Sequence, residues 1–465
     1  MESDSQPCSS KKASVIPTIL CGGAGSRLWP MSRADLPKPF IKLDDGQSLL
    51  QKAFLRASSL CQGSEILTIC NSRLLSRILD EYDSINSENI KTSFILEPFG
   101  RNTAPAIAAA ASYISKEHSG ETNMLILAAD HLIDNLSNFQ ESVRQAEKLA
   151  SKGNLVAFGI PPHSPETGYG YIEYKKNSIV KFVEKPSLDQ AKEYLNSGRY
   201  LWNSGMFCFT AEGVINEMNV HCPDLLDMTA HCVDISKNNN LDSRYEMFLD
   251  PDSFRLVDNI SFDYAVMEKT RKASVIHANI GWSDIGDWKT LGDLAKPDAD
   301  NNRLRGRIIQ KNSHDTTVIS ENRTVGIIGL KNLIVVDTHD ALLISDKDEV
   351  QGVREIYSQL DTENDPTVRE HKEKKFSWGT LVTLEKENDY TIQKLIINRN
   401  QEVLIPREDI DTLNCLTLLG EVTISTDDSI QSIKRNEHIS ISGKSEITIH
   451  NSSEESAIVI VLKST

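Results

Sequence analysis

Several classes of protein are excluded by what the sequence lacks. Its 465 residues carry 50 Lys and Arg against 66 Asp and Glu, a net charge of −16. Proteins that bind nucleic acids generally need a basic surface, so this balance argues against a nucleic-acid partner. No apolar run approaches the length of a membrane span, and the polar stretch 1–12 has no apolar segment of the kind that signal peptides contain. We expect a disordered lead-in at 1–13 and a cytoplasmic protein with no membrane partner.

Closely spaced cysteines are also missing. The eight cysteines are scattered, and no two form a C-x-x-C pair. Reduced thiols are the default for such a chain. The pairs His221-Cys222 and His231-Cys232 offer four soft ligands, but Pro223 and a helix-like run separate them, so their side chains should diverge. We do not expect a zinc site there.

Two common phosphate-binding motifs are absent from the stretch around which the chain is organised, residues 19–43. The dinucleotide fingerprint needs a glycine where Leu28 stands and a helix directly afterwards, which Pro30, Pro37 and Pro39 exclude. The G-x-x-x-x-G-K-[ST] loop does not occur in the sequence.

The same stretch instead holds a glycine turn flanked by two cations. The apolar run 15–20 predicts a buried strand, and it leads into Gly22, Gly23 and Gly25. Glycines allow backbone N–H groups to turn toward an anion, and Arg27 and Lys38 add positive charge beside them. A tight turn without a ligand is the alternative. The long proline-stiffened loop favours the binding of a polyphosphate.

From residue 15 to about 288, short apolar runs alternate with amphipathic segments, which is typical of an α/β layer fold. The patterns predict strands at 65–70, 92–96, 124–127 and 273–280 and helices at 103–115 and 138–151. Glu97 and Asp130 each follow a strand directly. Ligands of open α/β sheets bind at the carboxyl ends of strands, so both carboxylates should face the crevice of the glycine turn.

The motif G-G-x-G-x-R-L-W-P-x-S-R…P-K resembles the signature of the sugar-1-phosphate nucleotidyltransferases, and among them it is most similar to the mannose-1-phosphate guanylyltransferases. Further blocks resemble the same family: E-P-F-G-R-N-T-A-P, L-A-A-D-H, Y-G-Y-I, V-E-K-P, W-N-S-G-M-F, S-F-D-Y-A-V-M-E-K and G-W-S-D-I-G-D-W. Together they cover residues 15–290. The resemblance implies a Rossmann-like, glycosyltransferase-A-like nucleotidyltransferase domain that makes GDP-mannose and diphosphate from GTP and mannose 1-phosphate.

The resemblance also implies roles for individual residues. The catalytic residues would be Arg27, Lys38 and Lys185, and the ligands of Mg²⁺ (or Mn²⁺) would be Asp130 and Asp284. Nucleotide-binding residues would be Gly22, Gly23, Gly25, Ser26, Glu97, Arg101, Asn102 and Thr103. Sugar-binding residues would be Gly168, Tyr169, Glu184, Asn203 and Asp263. The family usually has proline where Ala128 stands, a departure that leaves Asp130 in place.

Glu97 is the candidate reader of the base. A carboxylate only accepts hydrogen bonds, and guanine offers adjacent N1–H and N2–H donors that one carboxylate can bind together. By itself, a glutamate before a turn proline is more often an ordinary surface residue. The surrounding family motif favours base recognition.

The sequence changes character after residue 296. We expect a catalytic domain at 14–296, a small β-helix-like domain at 297–361, a linker at 362–373 and a cupin-like β-barrel at 374–465. The barrel resembles the isomerase domain of long bifunctional family members, but residues 403–420 contain none of the histidines that such a metal site needs. We therefore expect no isomerase activity, and guanylyl transfer that survives truncation near Asp361. Either β domain is a possible surface for homo-oligomer formation.

Two other functions are consistent with the motifs. The same fold can serve a different nucleotide or hexose phosphate. A catalytically silent subunit that senses nucleotide sugars is the other alternative, although such a subunit would be expected to lose Arg27, Lys185 or a metal-binding aspartate.

Overall fold

The computed structural model describes residues 15–23, 25–61, 65–241, 244–405, 411–427, 429–442 and 446–464. The predicted lead-in at 1–13 lies outside these residues. The chain forms two compact units, Met1–Leu28 with Pro37–Ala295 and Trp29–Leu36 with Lys296–Thr465.

The first unit is built on one large mixed sheet. The strands of this unit, in chain order, are β1 (Ile16–Cys21), β2 (Ile66–Asn71), β3 (Thr92–Glu97), β4 (Asn123–Ala128), β5 (Leu132–Ile133), β6 (Leu155–Ile160), β7 (Tyr171–Lys175), β8 (Ser178–Val183), β9 (Tyr200–Thr210), β10 (Lys237–Leu241), β11 (Arg244–Phe248), β12 (Ala273–His277) and β13 (Trp282–Ser283). Within the described residues the sheet has 11 strands in the order β10-β11-β3-β2-β1-β4-β9-β6-β12-β8-β7. The run β11-β3-β2-β1-β4 is parallel, so the carboxyl ends of these strands share one edge.

Helices cover the faces of this sheet. They are α1 (Leu49–Ser58), α2 (Leu75–Asp83), α3 (Thr103–Glu117), α4 (Leu136–Ala150), α5 (Leu188–Ser197), α6 (Ala211–His221), α7 (Pro223–Ile235), α8 (Pro251–Leu256) and α9 (Trp288–Gly292). Alanine-rich α3 packs deep in the core, where residues 104–111 are all buried. The amide side chain of Asn102 accepts a hydrogen bond from the Thr103 backbone N–H and caps this helix. The predicted α/β fold class is confirmed.

The second unit contains two kinds of β structure. Its strands are β14 (Arg303–Arg305), β15 (Ile308–Lys311), β16 (Thr317–Ser320), β17 (Val325–Ile328), β18 (Leu333–Asp337), β19 (Leu342–Asp346), β20 (Glu373–Phe376), β21 (Gly379–Lys386), β22 (Tyr390–Ile397), β23 (Glu402–Ile405), β24 (Thr412–Leu419), β25 (Val422–Ser425), β26 (Ile430–Ile433), β27 (His438–Ser442), β28 (Ile447–Asn451) and β29 (Ala457–Ser464). In the sequence, helix α10 (Val353–Thr362) lies between these two kinds of β structure.

Short parallel strands form the first kind. Strands β14, β16 and β18 pair in parallel, and so do β15 and β17. Val318, Ile327 and Val335 fill the space inside this coil. Strands β15 and β16 are separated by a turn in which Asn312 and Asp315 adopt positive φ.

Antiparallel strands form the second kind, which we call the C-terminal β region (residues 373–464). A six-stranded sheet and a four-stranded sheet are seen among its described residues. Both sheets contribute to one apolar core, made of Leu395, Ile397, Val403, Ile405, Leu413, Cys415, Val422, Ile424, Ile433, Ile447, Ile449, Ala457, Val459 and Val461. The expectation of a C-terminal β domain is confirmed.

The predicted linker has structure of its own. Residues 366–368 form a short 3-10 helix, and both Val368 and His371 are buried. No helix among the residues that the structure describes is long and apolar enough to cross a membrane.

Candidate active site

The glycine turn begins where β1 ends at Cys21. Gly23 and Gly25 have φ angles of +97° and +63°, which non-glycine residues rarely adopt. A Cβ on Gly25 would lie only 2.6 Å from Cβ of Lys38, so glycine is also required for close packing of the turn on this lysine. Neither the backbone angle nor close packing requires glycine at position 22. Ser26 and Arg27 follow in a one-turn helix and are partly exposed.

Lys38 is the cation at the centre of the site. Its side chain is only 10% exposed, and its Nζ lies 2.8 Å from Oδ2 of Asp130. The same ammonium group donates a hydrogen bond to the backbone carbonyl of Asp284. One buried positive charge therefore holds the two predicted metal ligands together.

The pairing of β5 with β13 explains why Asp130 and Asp284 meet. Leu132 is the register partner of Ser283 in this antiparallel pair. Asp130 lies two residues before Leu132, and Asp284 directly follows Ser283. Two loops that are far apart in sequence are thus held side by side.

Each aspartate has a defined charge environment. Burial disfavours ionisation of Asp130, but the charge and the hydrogen bond of Lys38 outweigh it and hold the pKa of this carboxyl below its usual value. Asp284 Oδ1 accepts hydrogen bonds from the Tyr169 hydroxyl at 2.6 Å and from the Gly286 N–H at 3.1 Å. Both carboxylates are therefore oriented before a ligand arrives.

The residues present fit a magnesium-type ion that is shared with phosphates. Within the described residues no group of three or more His, Cys, Asp or Glu side chains could hold a metal on its own. Mg²⁺ commonly binds one or two carboxylates and completes its shell with substrate phosphates and water. Asp130 and Asp284 supply such a pair.

Two aromatic residues at this point were not assigned from the sequence. Nε1 of Trp282 donates to Nδ1 of His131 at 3.2 Å, and Nε2 of His131 faces Oδ1 of Asp130 at 3.9 Å. Burial lowers the pKa of His131 to about 4, so the ring is neutral. The adjacency of His131 to Asp130 was the one available sequence signal. The pairing with Trp282 is set by tertiary structure.

Glu97 ends β3 at the same edge of the sheet. Its register partner on β2 is Asn71, and Cys70 of β2 pairs with Cys21 of β1. Because neighbouring strands lie about 4.8 Å apart, Glu97 lies roughly 10 Å from the strand that carries the glycine turn. That spacing suits a nucleotide whose base and phosphates bind at different strands.

The carboxyl of Glu97 is buried and lacks a partner. The residue is 8% exposed, and Oε1 forms no hydrogen bond with any described residue. Burial raises the pKa of this carboxyl to about 7. Buried polar groups are normally paired, so this oxygen is an acceptor that a bound ligand can satisfy.

The other residues predicted to bind the nucleotide have partners within the first unit. Arg101 donates to the Arg255 carbonyl at 2.5 Å, and its guanidinium lies over the Phe99 ring. Asn102 caps α3, and the hydroxyl of Thr103 accepts from the Phe262 N–H at 2.8 Å. These side chains shape the loop around Glu97.

Three predicted sugar-binding residues converge around Gly170. Asn203 donates through its backbone N–H to the Gly170 carbonyl at 2.8 Å and through its amide to Asp263 at 2.8 Å. A Cβ on Gly170 would lie 2.5 Å from Oε2 of Glu184, so the glycine makes room for this carboxylate. Burial raises the pKa values of Glu184 and Asp263, and their mutual repulsion raises that of Glu184 further.

Lys185 lies at the rim of this group. Its side chain is 60% exposed, and its Nζ is 3.6 Å from the Glu184 carboxylate. The backbone has a φ of +45°, an unusual value for a lysine that often marks functional sites. Gly168 is exposed, and Tyr169 turns its hydroxyl to Asp284 rather than to the sugar-binding group.

Comparison with known proteins identifies the class first. The model of the nucleotidyl transferase family matches residues 16–301, and that of the mannose-phosphate isomerase/GMP-like β-helix domain matches residues 306–360. A solved structure from Thermus thermophilus, described as a mannose-1-phosphate geranyltransferase, is 29% identical, has a TM-score of 0.64 and covers 75% of this chain and 99% of its own. The chain belongs to the nucleotidyl transferase family.

Curated relatives identify the family. Mannose-1-phosphate guanylyltransferases from Salmonella muenchen and Escherichia coli are 37% and 36% identical, over 94% and 92% of this chain and 92% and 93% of their own. The chain belongs to the mannose-1-phosphate guanylyltransferase family. A solved structure from Helicobacter pylori, described as a mannose-6-phosphate isomerase, is 31% identical with a TM-score of 0.52 and covers 58% of this chain and 99% of its own.

Proposed function

We propose that the protein transfers the guanylyl group of GTP to mannose 1-phosphate. A phosphate oxygen of the sugar attacks the α-phosphorus of GTP in line. The bond from that phosphorus to the oxygen it shares with the β-phosphorus breaks, and diphosphate leaves as GDP-mannose forms. The attacking oxygen is already anionic, so the protein supplies no covalent nucleophile and no base. Its task is positioning and charge neutralisation.

One observation carries this proposal from the structure: Lys38 joins Asp130 and Asp284 beside the glycine turn. The three groups come from three separate loops and meet where parallel strands end. A cation between two carboxylates, next to glycines with positive φ, is suited to a polyphosphate and its metal.

Lys38 and Arg27 would neutralise the phosphates of GTP. Lys38 neutralises Asp130 in the structure, and the binding of a divalent ion by the two aspartates would free its charge for a phosphate oxygen. Arg27 forms no ion pair with another described residue, so its guanidinium is available to the departing diphosphate. Preorganised charges of this kind stabilise a transition state without reorganisation.

Asp130 and Asp284 would hold Mg²⁺, or Mn²⁺ in its place. When bound, the ion supplies charge neutralisation at phosphate oxygens. Tyr169 and Gly286 keep the Asp284 carboxylate oriented, and Lys38 keeps Asp130 ionised.

Glu97 would accept the N1–H and N2–H groups of guanine. Its unpaired Oε1 and its raised pKa support this role, because a bound guanine supplies the missing hydrogen bonds. Adenine has no donor at the corresponding ring nitrogen, and therefore would leave the carboxylate poorly paired.

The group around Gly170 would bind the sugar. Glu184, Asn203 and Asp263 supply acceptors and one amide donor for hydroxyl groups, and exposed Lys185 would hold the phosphate of mannose 1-phosphate as a point charge. Its position at the rim allows it to reach a ligand that the structure does not contain.

The direct experiment measures products from a panel of nucleoside triphosphates and sugar 1-phosphates. We expect GDP-mannose and diphosphate in equal amounts from GTP and mannose 1-phosphate, and much slower reactions with other pairs. A faster reaction with another pair would establish the first alternative, a different nucleotide or hexose. Tight binding of GDP-mannose without turnover of any pair would establish a sensing subunit.

The remaining expectations stay predictions. Isomerase activity should be absent because apolar side chains fill the core of the C-terminal β region, and Val403 and Ile405 of the expected ligand segment are among them. Residues 406–410 of that segment lie outside the described residues. A cytoplasmic location and association of copies through the β domains are likewise still predictions.

A further inference from the structure

A short segment inside the glycine-turn motif belongs to the second unit. Residues 29–36 group with that unit, whereas Leu28 and Pro37 group with the first. Arg27 lies two positions before this segment, and Lys38 lies two positions after its end. The covalent chain therefore passes through the second unit between the two cations that we assign to the phosphates of GTP.

Arg33 anchors the middle of the segment. Its side chain is fully buried, and Nη2 lies 2.7 Å from Oδ1 of Asp340, which is itself 3% exposed. Nε donates to the Pro30 carbonyl at 2.8 Å, and Nη1 donates to the Thr367 carbonyl. The guanidinium is thus bound on three sides.

Backbone groups hold the rest of the segment. The partners all lie in residues 367–371, and the contacts are Trp29 Nε1 to Thr367 O at 3.1 Å, Ala34 N to Val368 O at 2.9 Å, Asp35 N to Arg369 O at 2.9 Å, and His371 Nε2 to Met31 O at 2.9 Å. Both ends and the middle of the segment are therefore fixed to the same five residues or to Asp340.

Stability alone does not account for a buried ion pair in so short a segment. Apolar residues of similar volume often stabilise a fold as well as a buried pair does, because the pair must lose its hydration. A buried arginine that is bound by several acceptors does hold the surrounding backbone in one conformation. Such rigidity matters for catalysis, because displacing a catalytic group by about 1 Å can lower the rate about a hundredfold.

We infer that Arg33 and Asp340 are positioning residues for GTP: they fix the segment 29–36 and thereby the placement of Arg27 and Lys38 on either side of it. This inference rests on the proposed function, because it assigns those two cations to GTP. It also changes one expectation from the sequence. Truncation near Asp361 removes residues 367–371, so it should impair the use of GTP rather than leave it intact.

The test compares Arg33→Met, Asp340→Asn and the double variant in the full-length protein. We expect each single variant to raise the KM for GTP roughly tenfold or more, with the KM for mannose 1-phosphate changed by about twofold or less. Each single variant leaves one buried charge unpaired and should lower Tm. The double variant should recover Tm but keep the raised KM for GTP, because the middle of the segment is still without its anchor.

Arg323→Met is the matched control. It removes a more exposed arginine–aspartate pair of the same unit, with Asp337, and touches no residue of the segment. Its one contact near the Arg33 anchor is with the backbone carbonyl of Thr338, which the variant leaves in place. It should lower Tm and leave both KM values unchanged. An unchanged KM for GTP in both single variants, recovery of that KM together with Tm in the double variant, or an equal rise in Arg323→Met would each overturn the inference.

His371→Ala tests the same idea if the charge variants do not fold. It removes one hydrogen bond to the Met31 carbonyl and should raise the KM for GTP about threefold, whereas an unchanged value would contradict the inference. The proposed function is judged separately, from the products of the wild-type protein. If the wild type uses another nucleoside triphosphate, the same variants are compared with that nucleotide.

Discussion

The crevice of the first unit and the core of the C-terminal β region are two interiors of opposite chemistry. In the crevice, Lys38 and Glu97 are buried, Asp130 and Asp263 are partly buried, and one oxygen of Glu97 has no partner among the described residues. The core of the C-terminal β region is formed mainly by apolar side chains and one cysteine, and the buried polar residues of its described part, Thr417 and Asn451, are uncharged. Burying charge is costly, so a fold keeps it where chemistry needs it. We therefore expect the first interior to be catalytic and the second to provide structure.

The largest effect on activity should come from neutralising either aspartate of the crevice. Asp130→Asn and Asp284→Asn keep side-chain volume but remove a metal ligand, and Asp130→Asn also leaves Lys38 without its partner. We expect each variant to lower kcat/KM by a factor of about a thousand and to weaken activation by Mg²⁺. Titration of activity with Mg²⁺ checks this. Full activity in EDTA, or unchanged titrations in both variants, would count against the metal assignment.

The next largest effect on activity should distinguish the cation that binds GTP from the cation that binds mannose 1-phosphate. Arg27→Ala and Lys185→Ala should each lower kcat/KM at least about a hundredfold, the scale expected for one preorganised charge. Arg27→Ala should act through GTP and diphosphate, and Lys185→Ala through mannose 1-phosphate. Steady-state kinetics with each substrate varied in turn distinguishes them. Wild-type kinetics in either variant would remove that residue from the mechanism.

A smaller effect is expected at Glu97. Glu97→Gln should lose roughly 1–3 kcal/mol of the preference for GTP over ATP, because a buried group becomes mispaired. Competition between the two nucleotides measures this preference directly. An unchanged preference would mean that backbone groups of the loop at 101–103 read the base.

Glu97 should also make stability depend on pH. Its pKa is raised to about 7, above the value in the unfolded chain, so the folded protein holds a proton that the unfolded chain releases. The wild type should therefore lose stability, on the order of 3 kcal/mol, as pH rises from about 4.5 to 7, and Glu97→Gln should not. Denaturant unfolding at several pH values checks this. GTP should bind more tightly above pH 7, where the carboxylate is ionised, and identical pH profiles for both proteins would contradict the assignment.

The smallest effect on catalysis should come from a substitution in the core of the C-terminal β region. Ile449→Ala removes a fully buried side chain from the core of the C-terminal β region and should cost about 2–5 kcal/mol of unfolding free energy. While the variant stays folded, both KM values and kcat for guanylyl transfer should match the wild type. A selective loss of activity at wild-type stability would give that core a catalytic role.

The sequence predicted those parts of the site that depend on local pattern. Glycines before Arg27, carboxylates at strand ends such as Glu97 and Asp130, and period-two apolar runs all have local physical causes. The contact of Tyr169 with Asp284 and the pairing of His131 with Trp282 were not predictable, because these partners are 115 and 151 positions apart and only the fold brings them together. The anchoring of Arg33 was missed for the same reason: its partner Asp340 is distant in sequence, and residues 362–373 had a polar composition that resembles a linker.

The most direct measurement follows both reactions in one preparation of the full-length protein. Formation of GDP-mannose and diphosphate from GTP and mannose 1-phosphate is measured beside the interconversion of mannose 6-phosphate and fructose 6-phosphate, with Mg²⁺, Mn²⁺, Zn²⁺ or Co²⁺ added in turn. We expect metal-dependent GDP-mannose synthesis and no isomerisation with any of these ions. A metal-stimulated isomerase rate, or no GDP-mannose in the presence of Mg²⁺ or Mn²⁺, would contradict it.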